Sequence, residues 1–351
     1  MNRHLAALPA VFLLLAASCA EKPLPALYPV QVDGKFGYID NRGSVVIQPV
    51  FDFAGSFSEG LAVAALGDNC GFIDHEGNWV IQPGFERAMP FSCGLSLVEL
   101  GGRAAFIDRQ GNPVIKPGFE AAFPFSEDLA PVAVDGKWGY IDKEGAMVIE
   151  PRFDRAWPFV EGAAIVAADN RYGYIDTRGS YLVEPHLDFQ VIFNSLAAFA
   201  MINPGFRAGI FGFAEGLAPV LVEGKTGYID RTGAQVIAPR FSAAMPFSEG
   251  FAAVVFRGKW GFIDTTGALV IKPRFDNALF FSEKLAGVAI EGKWGYIDIS
   301  GKMIIEPRFE AAGHFDRGLA LVVIDNKSGY IDRGGKLVWE PGRQPAKGAK
   351  Q

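Results

Sequence analysis

The sequence predicts an all-β fold: a tandem array of 34-residue units, each folding into a three-stranded antiparallel sheet. Three observations predict it. The run (Tyr/Phe)-Ile-Asp, usually after Gly, ends at Asp40, Asp74, Asp108, Asp142 and Asp176, then at Asp230, Asp264, Asp298 and Asp332; every step is 34 residues except one of 54. The 351 residues include 42 Gly, 22 Pro and 30 Phe with only 21% charged, which suits short strands between tight turns. Apolar residues alternate or run continuously rather than recurring at helical spacing, and this separates the units from helical repeats of the same period.

The first strand of a unit is an aliphatic run such as Leu129 to Val134, closed by a two-residue turn of the Asp135-Gly136 kind. Gly and Asn accept the positive φ of a type I′ hairpin turn. The second strand is Lys-Trp-Gly-Tyr-Ile-Asp in its fullest form, at residues 137 to 142 and 293 to 298, and its Gly predicts a close backbone approach. It closes with Asp-x-x-Gly in all nine units. There the Asp caps the turn's own amides and the Gly takes the left-handed conformation. The third strand is Val-Ile-x-Pro, and proline, lacking an amide donor, is expected to end the ladder. A connector Phe-x-x-Ala-x-x-Phe, as in Phe153, Ala156 and Phe159, then leads to Ser-Glu-Gly. Its aromatics are read as plugs sealing one unit against the next.

The N-terminus stands apart. Arg3 and His4 precede an apolar run from Leu5 to Ala17, a signal peptide over residues 1–18 that is too short to span a bilayer. Leu15-Ala16-Ala17-Ser18-Cys19 resembles a bacterial lipobox, which predicts lipidation at Cys19 and membrane attachment through that lipid, with residues 19–26 as the linker. Ala16 stands where Leu is usual, so plain cleavage and secretion is the alternative. Ala20, rather than Asp, after the Cys points to the outer membrane. A periplasmic location is the other outcome.

Lys-Trp-Gly-Tyr-Ile-Asp, Val-Ile-x-Pro-x-Phe and Phe-Ser-Glu-Gly-Leu-Ala together resemble the WG (KWG) repeat family of bacteria, over residues 27 to 343. Trp-Gly itself survives at Trp138, Trp260 and Trp294. The resemblance implies an all-β array and no shared activity. Three strands per unit fit an open superhelical array or a closed β-propeller. Propeller blades usually have four strands and often share one blade between the chain ends, whereas this array starts with a first strand and finishes with a third. The open array is therefore preferred.

The 54-residue step separates units one to five (27–185) from units six to nine (213–343), with residues 344–351 as a disordered tail. Segment 186–212 reads as a tenth unit that lost its hairpin, so a break in the stack is expected there, as a buried seam or as an exposed surface. Phe189, Ile192, Phe193, Phe199, Phe206 and Arg207 are the candidate partner surface. Cys70 and Cys93 each replace a repeat residue in one region of an exported chain, which suggests a disulfide.

No catalytic, cofactor-binding or metal-binding constellation emerges. His4, His75, His186 and His314 are far apart, and the capping role accounts for the repeated Asp without calcium. The 33 basic residues, at net charge −6, form no stripe for nucleic acid. The expected function is a non-enzymatic scaffold at the cell envelope for protein or glycan. The alternatives are a passive spacer or an enzyme using Asp188, Gln190, Asn194, Asn203 and Arg207.

Overall fold

A computed structural model describes residues 25–187 and 212–342. They form nine antiparallel sheets in chain order, with no helix among them. The hairpin reading holds throughout. In blade 4, Ala130–Val134 pairs with Lys137–Ile141 across Asp135 (φ 50) and Gly136 (φ 73), the two positive φ values of a type I′ turn. Lys137–Ile141 then pairs with Met147–Phe153. At the Asp-x-x-Gly turn between them, Asp142 Oδ1 accepts the Glu144 and Ala146 amides at 3.1 and 2.8 Å, with Gly145 at φ 83.

The units differ from expectation in two respects. Proline does not end the ladder: Met147–Phe153 runs through Pro151, and a bulge lets Trp138 pair with Phe153 while Tyr140 pairs with Ile149. That bulge folds backbone over Gly139, where a Cβ would lie 2.4 Å from the Ile149 carbonyl oxygen, so the glycine answers to its own blade's outer strand. Seven of the nine sheets have a fourth strand, because the connector adds a short strand to the blade that follows. In blade 4 this is Ala121–Ala122, paired with Ala133 and Val132.

That added strand is the innermost. In the C-terminal blades, Asn277–Ser282 lies against Ala311–Asp316. The Pro-containing strand is the outermost and leaves Val46, Val80, Val114 and Val148 exposed. Proline within the outer strand of blades 1 to 8 denies a donor to any strand that might add there.

Of the two arrangements open to the sequence, the structure has the closed one. Blades 1 and 9 share an apolar cluster of Tyr28, Val30, Ile39, Leu319, Tyr330 and Trp339. Gly43 of blade 1 abuts the Val338 carbonyl of blade 9 much as Gly77 of blade 2 abuts Ile47 of blade 1. The chain is a nine-bladed β-propeller, closed face to face with no exchange of strands among the described residues.

The expected break at the 54-residue step does not occur. Blade 5 (Arg155–Ala156, Ala163–Ala168, Arg171–Asp176, Tyr181–Leu187) packs directly on blade 6 (Leu217–Val222, Lys225–Asp230, Gln235–Phe241). Tyr174 meets Phe213 at 5.0 Å, Glu161 accepts the Glu215 and Gly216 amides at 2.8 and 2.9 Å, and one core cluster spans the junction. A single closed ring favours this, because a gap would expose two apolar blade faces.

Candidate functional site

The Ser-Glu-Gly turns join the innermost strand of each blade to the next one out, so they surround the axis on one face, called here the turn face. The Asp-x-x-Gly turns lie on the same face, farther out. The two-residue hairpins occupy the opposite, hairpin face.

Each inner turn holds its neighbour. Ser58 Oγ donates to the Phe91 carbonyl at 2.8 Å, Ser92 Oγ to that of Phe125 at 2.7 Å and Ser282 Oγ to that of Phe315 at 2.6 Å. The Glu, held at φ near 50, turns its carboxylate to the following blade: Glu59 accepts the Gly94 amide at 3.0 Å, Glu127 that of Gly162 at 2.8 Å and Glu283 that of Gly318 at 3.0 Å. On the outer strand, Arg240 and Arg274 reach the Gly267 and Gly301 carbonyls of the next blade at 2.5 and 2.6 Å, each stacked over the adjacent Phe. The recurring polar residues thus weld blade to blade.

An aromatic ladder runs inside this lattice. Tyr38 meets Phe57 at 4.9 Å, Phe72 meets Phe91 at 4.8 Å, Tyr140 meets Phe159 at 4.8 Å and Tyr296 meets Phe315 at 4.9 Å. The hydroxyls of Tyr38, Tyr140, Tyr228 and Tyr296 donate to a carbonyl 17 residues on, as Tyr140 does to Trp157 and Tyr296 to Gly313, both at 2.8 Å. Blade 1 has no described inner strand and so no such Phe to receive Tyr330. Tyr28 takes that place: its ring lies 5.5 Å from Tyr330, its hydroxyl donates to the Arg317 carbonyl at 2.6 Å, and Tyr330 donates to the Pro29 carbonyl at 3.0 Å. The other blades carry Ala or Ser at the Tyr28 position, from Ala62 and Ser96 to Ala320. Burial, with Asp316 beside it, pushes the Tyr28 hydroxyl up to about 12, so it remains a donor.

The closing seam also gathers groups that lie far apart in sequence. His314 and Ser56 line a cavity of about 70 Å³ between blades 9 and 2, with Phe57, Asp316 and Arg317. That volume is enough for a few waters. His75 stacks on Phe57 with ring centroids 4.0 Å apart. Burial lowers the pKa of both His75 and His314, which keeps them neutral near pH 7. Among the described residues, no group of three His, Cys, Asp or Glu side chains is placed to hold a metal. A hint lay in the repeat: Pro precedes the connector Phe in four of eight blades, at Pro90, Pro124, Pro158 and Pro246, and polar side chains stand there only at Ser56 and His314, in the two blades flanking blade 1.

The predicted disulfide is not formed. Cys70 and Cys93 are both free thiols. Cys70 stands in the third strand of blade 2 and packs in one apolar cluster; Cys93 occupies the inner turn of blade 3, at φ 56, and packs in another. Cys19 lies outside the described residues. So do Phe189, Ile192, Phe193, Phe199, Phe206 and Arg207, and likewise Asp188, Gln190, Asn194 and Asn203. The flanks of that segment are placed: Leu187 ends an outer strand on the hairpin face, and the chain resumes at Gly212 and the buried Phe213, just before the turn that opens blade 6.

The turn caps carry a pH signature. Hydroxyl donors lead in holding Asp230 (Thr232), Asp264 (Thr266) and Asp298 (Ser300) below the usual carboxylate range, with turn amides adding to the effect. A folded-state pKa below the unfolded one contributes stability above the unfolded value, about 4, which is lost as pH falls through the folded value. The melting temperature should therefore fall below about pH 4. Asp→Ala at positions 230, 264 and 298 together should flatten that fall, and thermal melts from pH 6 to 2.5 would check both.

A family model described as "WG containing repeat" matches residues 36–70, 71–103, 105–138, 138–172, 227–260, 260–294 and 294–327, more than half of the chain. No curated protein matches the sequence. Among solved structures, the fold is similar to a crystal structure of a eukaryotic initiation factor, at 13% identity and TM-score 0.58, over 90% of this chain and 96% of that one. It also aligns with the dihydro-heme d1 dehydrogenase NirN in complex with DHE, at 14% identity and TM-score 0.48, over 91% of this chain and 73% of that one. At such identities the likeness concerns fold alone.

Proposed function

Because the chain belongs to the WG containing repeat family, we propose that it is a propeller scaffold of the bacterial envelope, a lipoprotein held at the outer membrane through Cys19 that binds a protein or glycan without catalysing a reaction. The observation that carries this reading is the commitment of the recurring Ser, Glu, Asp and Arg side chains to turns and blade contacts. What such a ring has to offer is shape: two broad faces on a rigid frame. The apolar, uncharged stretch around Phe189, Ile192 and Phe193 interrupts this frame and is the proposed partner surface, with Phe199, Phe206 and Arg207.

The test has two arms. Palmitate labelling should be present in the wild type and absent in Cys19→Ser. Cross-linked pull-down from envelope extracts, alongside a glycan array, should enrich a defined partner, and replacing residues 189–211 with a Gly-Ser linker should cut its recovery at least tenfold. Empty pull-downs with a null array would remove the scaffold reading, and an unlabelled wild type would remove the anchor.

A further inference from the structure

In one sector of the turn face the departures from the repeat pattern add cations or expose an apolar side chain. At the last position of the inner turn, where most blades have Gly, blade 8 has Lys284. At the Glu position blade 9 has Arg317. After Asp-x-x-Gly the first seven blades have Ser, Asn or Ala, whereas blades 8 and 9 have Lys302 and Lys336. Inside that turn blade 8 carries Ile299, 45% exposed, where every other blade has a polar or charged residue. Lys284, Ile299, Ile304 and Arg333 line one open groove of about 390 Å³ between blades 8 and 9.

The acids of this sector are engaged already. Glu283 accepts the Gly318 amide and lies within 4.0 Å of Arg333, Asp298 caps its turn, and Asp316 lies 3.7 Å from Arg317. An exposed isoleucine ringed by lysine and arginine is the chemistry of a lipid interface, where the apolar group enters the headgroup boundary and the cations meet phosphate.

The chain's path leads to the same place. Leu27 is buried just before the first described strand of blade 1 and lines the cavity that Arg317 and His314 of blade 9 also line, and Pro25, two residues earlier, is exposed. Six residues back to Cys19 reach about 20 Å at most. A lipid on Cys19 would hold this sector within that distance of the bilayer and leave the hairpin face outward.

We propose that the turn face of blades 8, 9 and 1 seats on an anionic phospholipid surface, through Ile299 and the cations Lys284, Lys302, Arg317 and Lys336. The proposal takes its setting from the lipoprotein reading, but its test does not need the lipid. Signal-cleaved, unlipidated chain is sedimented with phosphatidylglycerol vesicles and with neutral phosphatidylcholine vesicles. Each cation near an anionic surface contributes about fivefold to binding. Lys284→Glu, Lys302→Glu and Lys336→Glu combined should therefore weaken phosphatidylglycerol binding more than tenfold. The matched hairpin-face change of Lys225→Glu, Lys293→Glu and Lys327→Glu should weaken it less than about twofold. A fluorophore on Ile299→Cys, in a background of Cys19→Ser with Cys70→Ala and Cys93→Glu copied from other units, should be quenched by headgroup nitroxides, and one on Lys293→Cys should not. Equal losses from the two triple variants, equal quenching at the two positions, or no preference of the wild type for phosphatidylglycerol would overturn the proposal. Palmitate labelling reports separately on the anchor.

Discussion

Tyr28→Ala is expected to lower the melting temperature of this propeller by roughly 5–15 °C, more than any other single truncation of a blade-facing aromatic. Removing a buried aromatic side chain typically costs 3–5 kcal/mol, through lost burial and the cavity left behind, and each kcal/mol shifts the melting of a chain of this size by a few degrees. At most positions in the ladder the neighbours could settle inward. Tyr28 has less relief, because it alone stands for an inner strand, spanning from Tyr330 to the Arg317 carbonyl. Its loss should open the contact between blades 9 and 1, and limited proteolysis should then release fragments at the N-terminal blade first. Tyr28→Phe keeps the ring stacking and loses only the hydroxyl, for about 1–2 kcal/mol. If the alanine variant melts within about 2 °C of wild type, the closure does not depend on Tyr28 and the account given above is wrong.

Gly295→Ala should be comparably severe, for a different reason. A Cβ there would lie 2.4 Å from the Ile305 carbonyl oxygen, 2.8 Å from Pro307 N and 2.9 Å from the Glu306 carbonyl carbon, all backbone atoms that cannot swing aside. The outer strand would have to pull out of its bulge, and the expected cost exceeds about 3 kcal/mol, in the range reserved for special backbone positions. The comparison is Gly292→Ala three residues earlier, where φ is 74 and nothing lies within 4 Å of the added carbon. That variant should lose only the left-handed penalty, about 1–2 kcal/mol. Equal melting of the two would show that φ rather than the bulge decides the matter.

Within one unit nearly everything was legible in the sequence. The hairpin at Asp135-Gly136, the Asp142 cap and the glycine under close backbone all follow from residue chemistry that acts over a few positions. Proline is the exception: its missing donor predicts the end of a strand, but at Pro151 the chain bulges and continues to Phe153, a longer-range compensation. The fourth strand went unseen for a similar reason. Two residues such as Ala121 and Ala122 carry no strand signal, and their pairing is imposed by the blade they join.

The candidate surfaces divide in the same way. Tyr28 among a column of Ala and Ser, Ser56 and His314 at a position where four blades have Pro, and Lys302 and Lys336 after turns that end elsewhere in Ser, Asn or Ala can all be seen by aligning the units. What alignment could not supply was adjacency around the ring. Cys70 and Cys93 looked close because they are close in sequence, yet they sit in separate clusters.

The sequence by itself determined the three-stranded part of the unit, its turns and the aromatics that seal one blade against the next. The tertiary structure alone decided closure. Whether identical contacts propagate into an open array or return to the start depends on a small rotation per blade summed over nine, and no local pattern encodes that sum. The clue was a single departure, Tyr28, whose meaning appears only once blade 9 is seen beside blade 1. Closure also decides which cations share a face and where the N-terminus emerges, so it places the surfaces on which function is proposed.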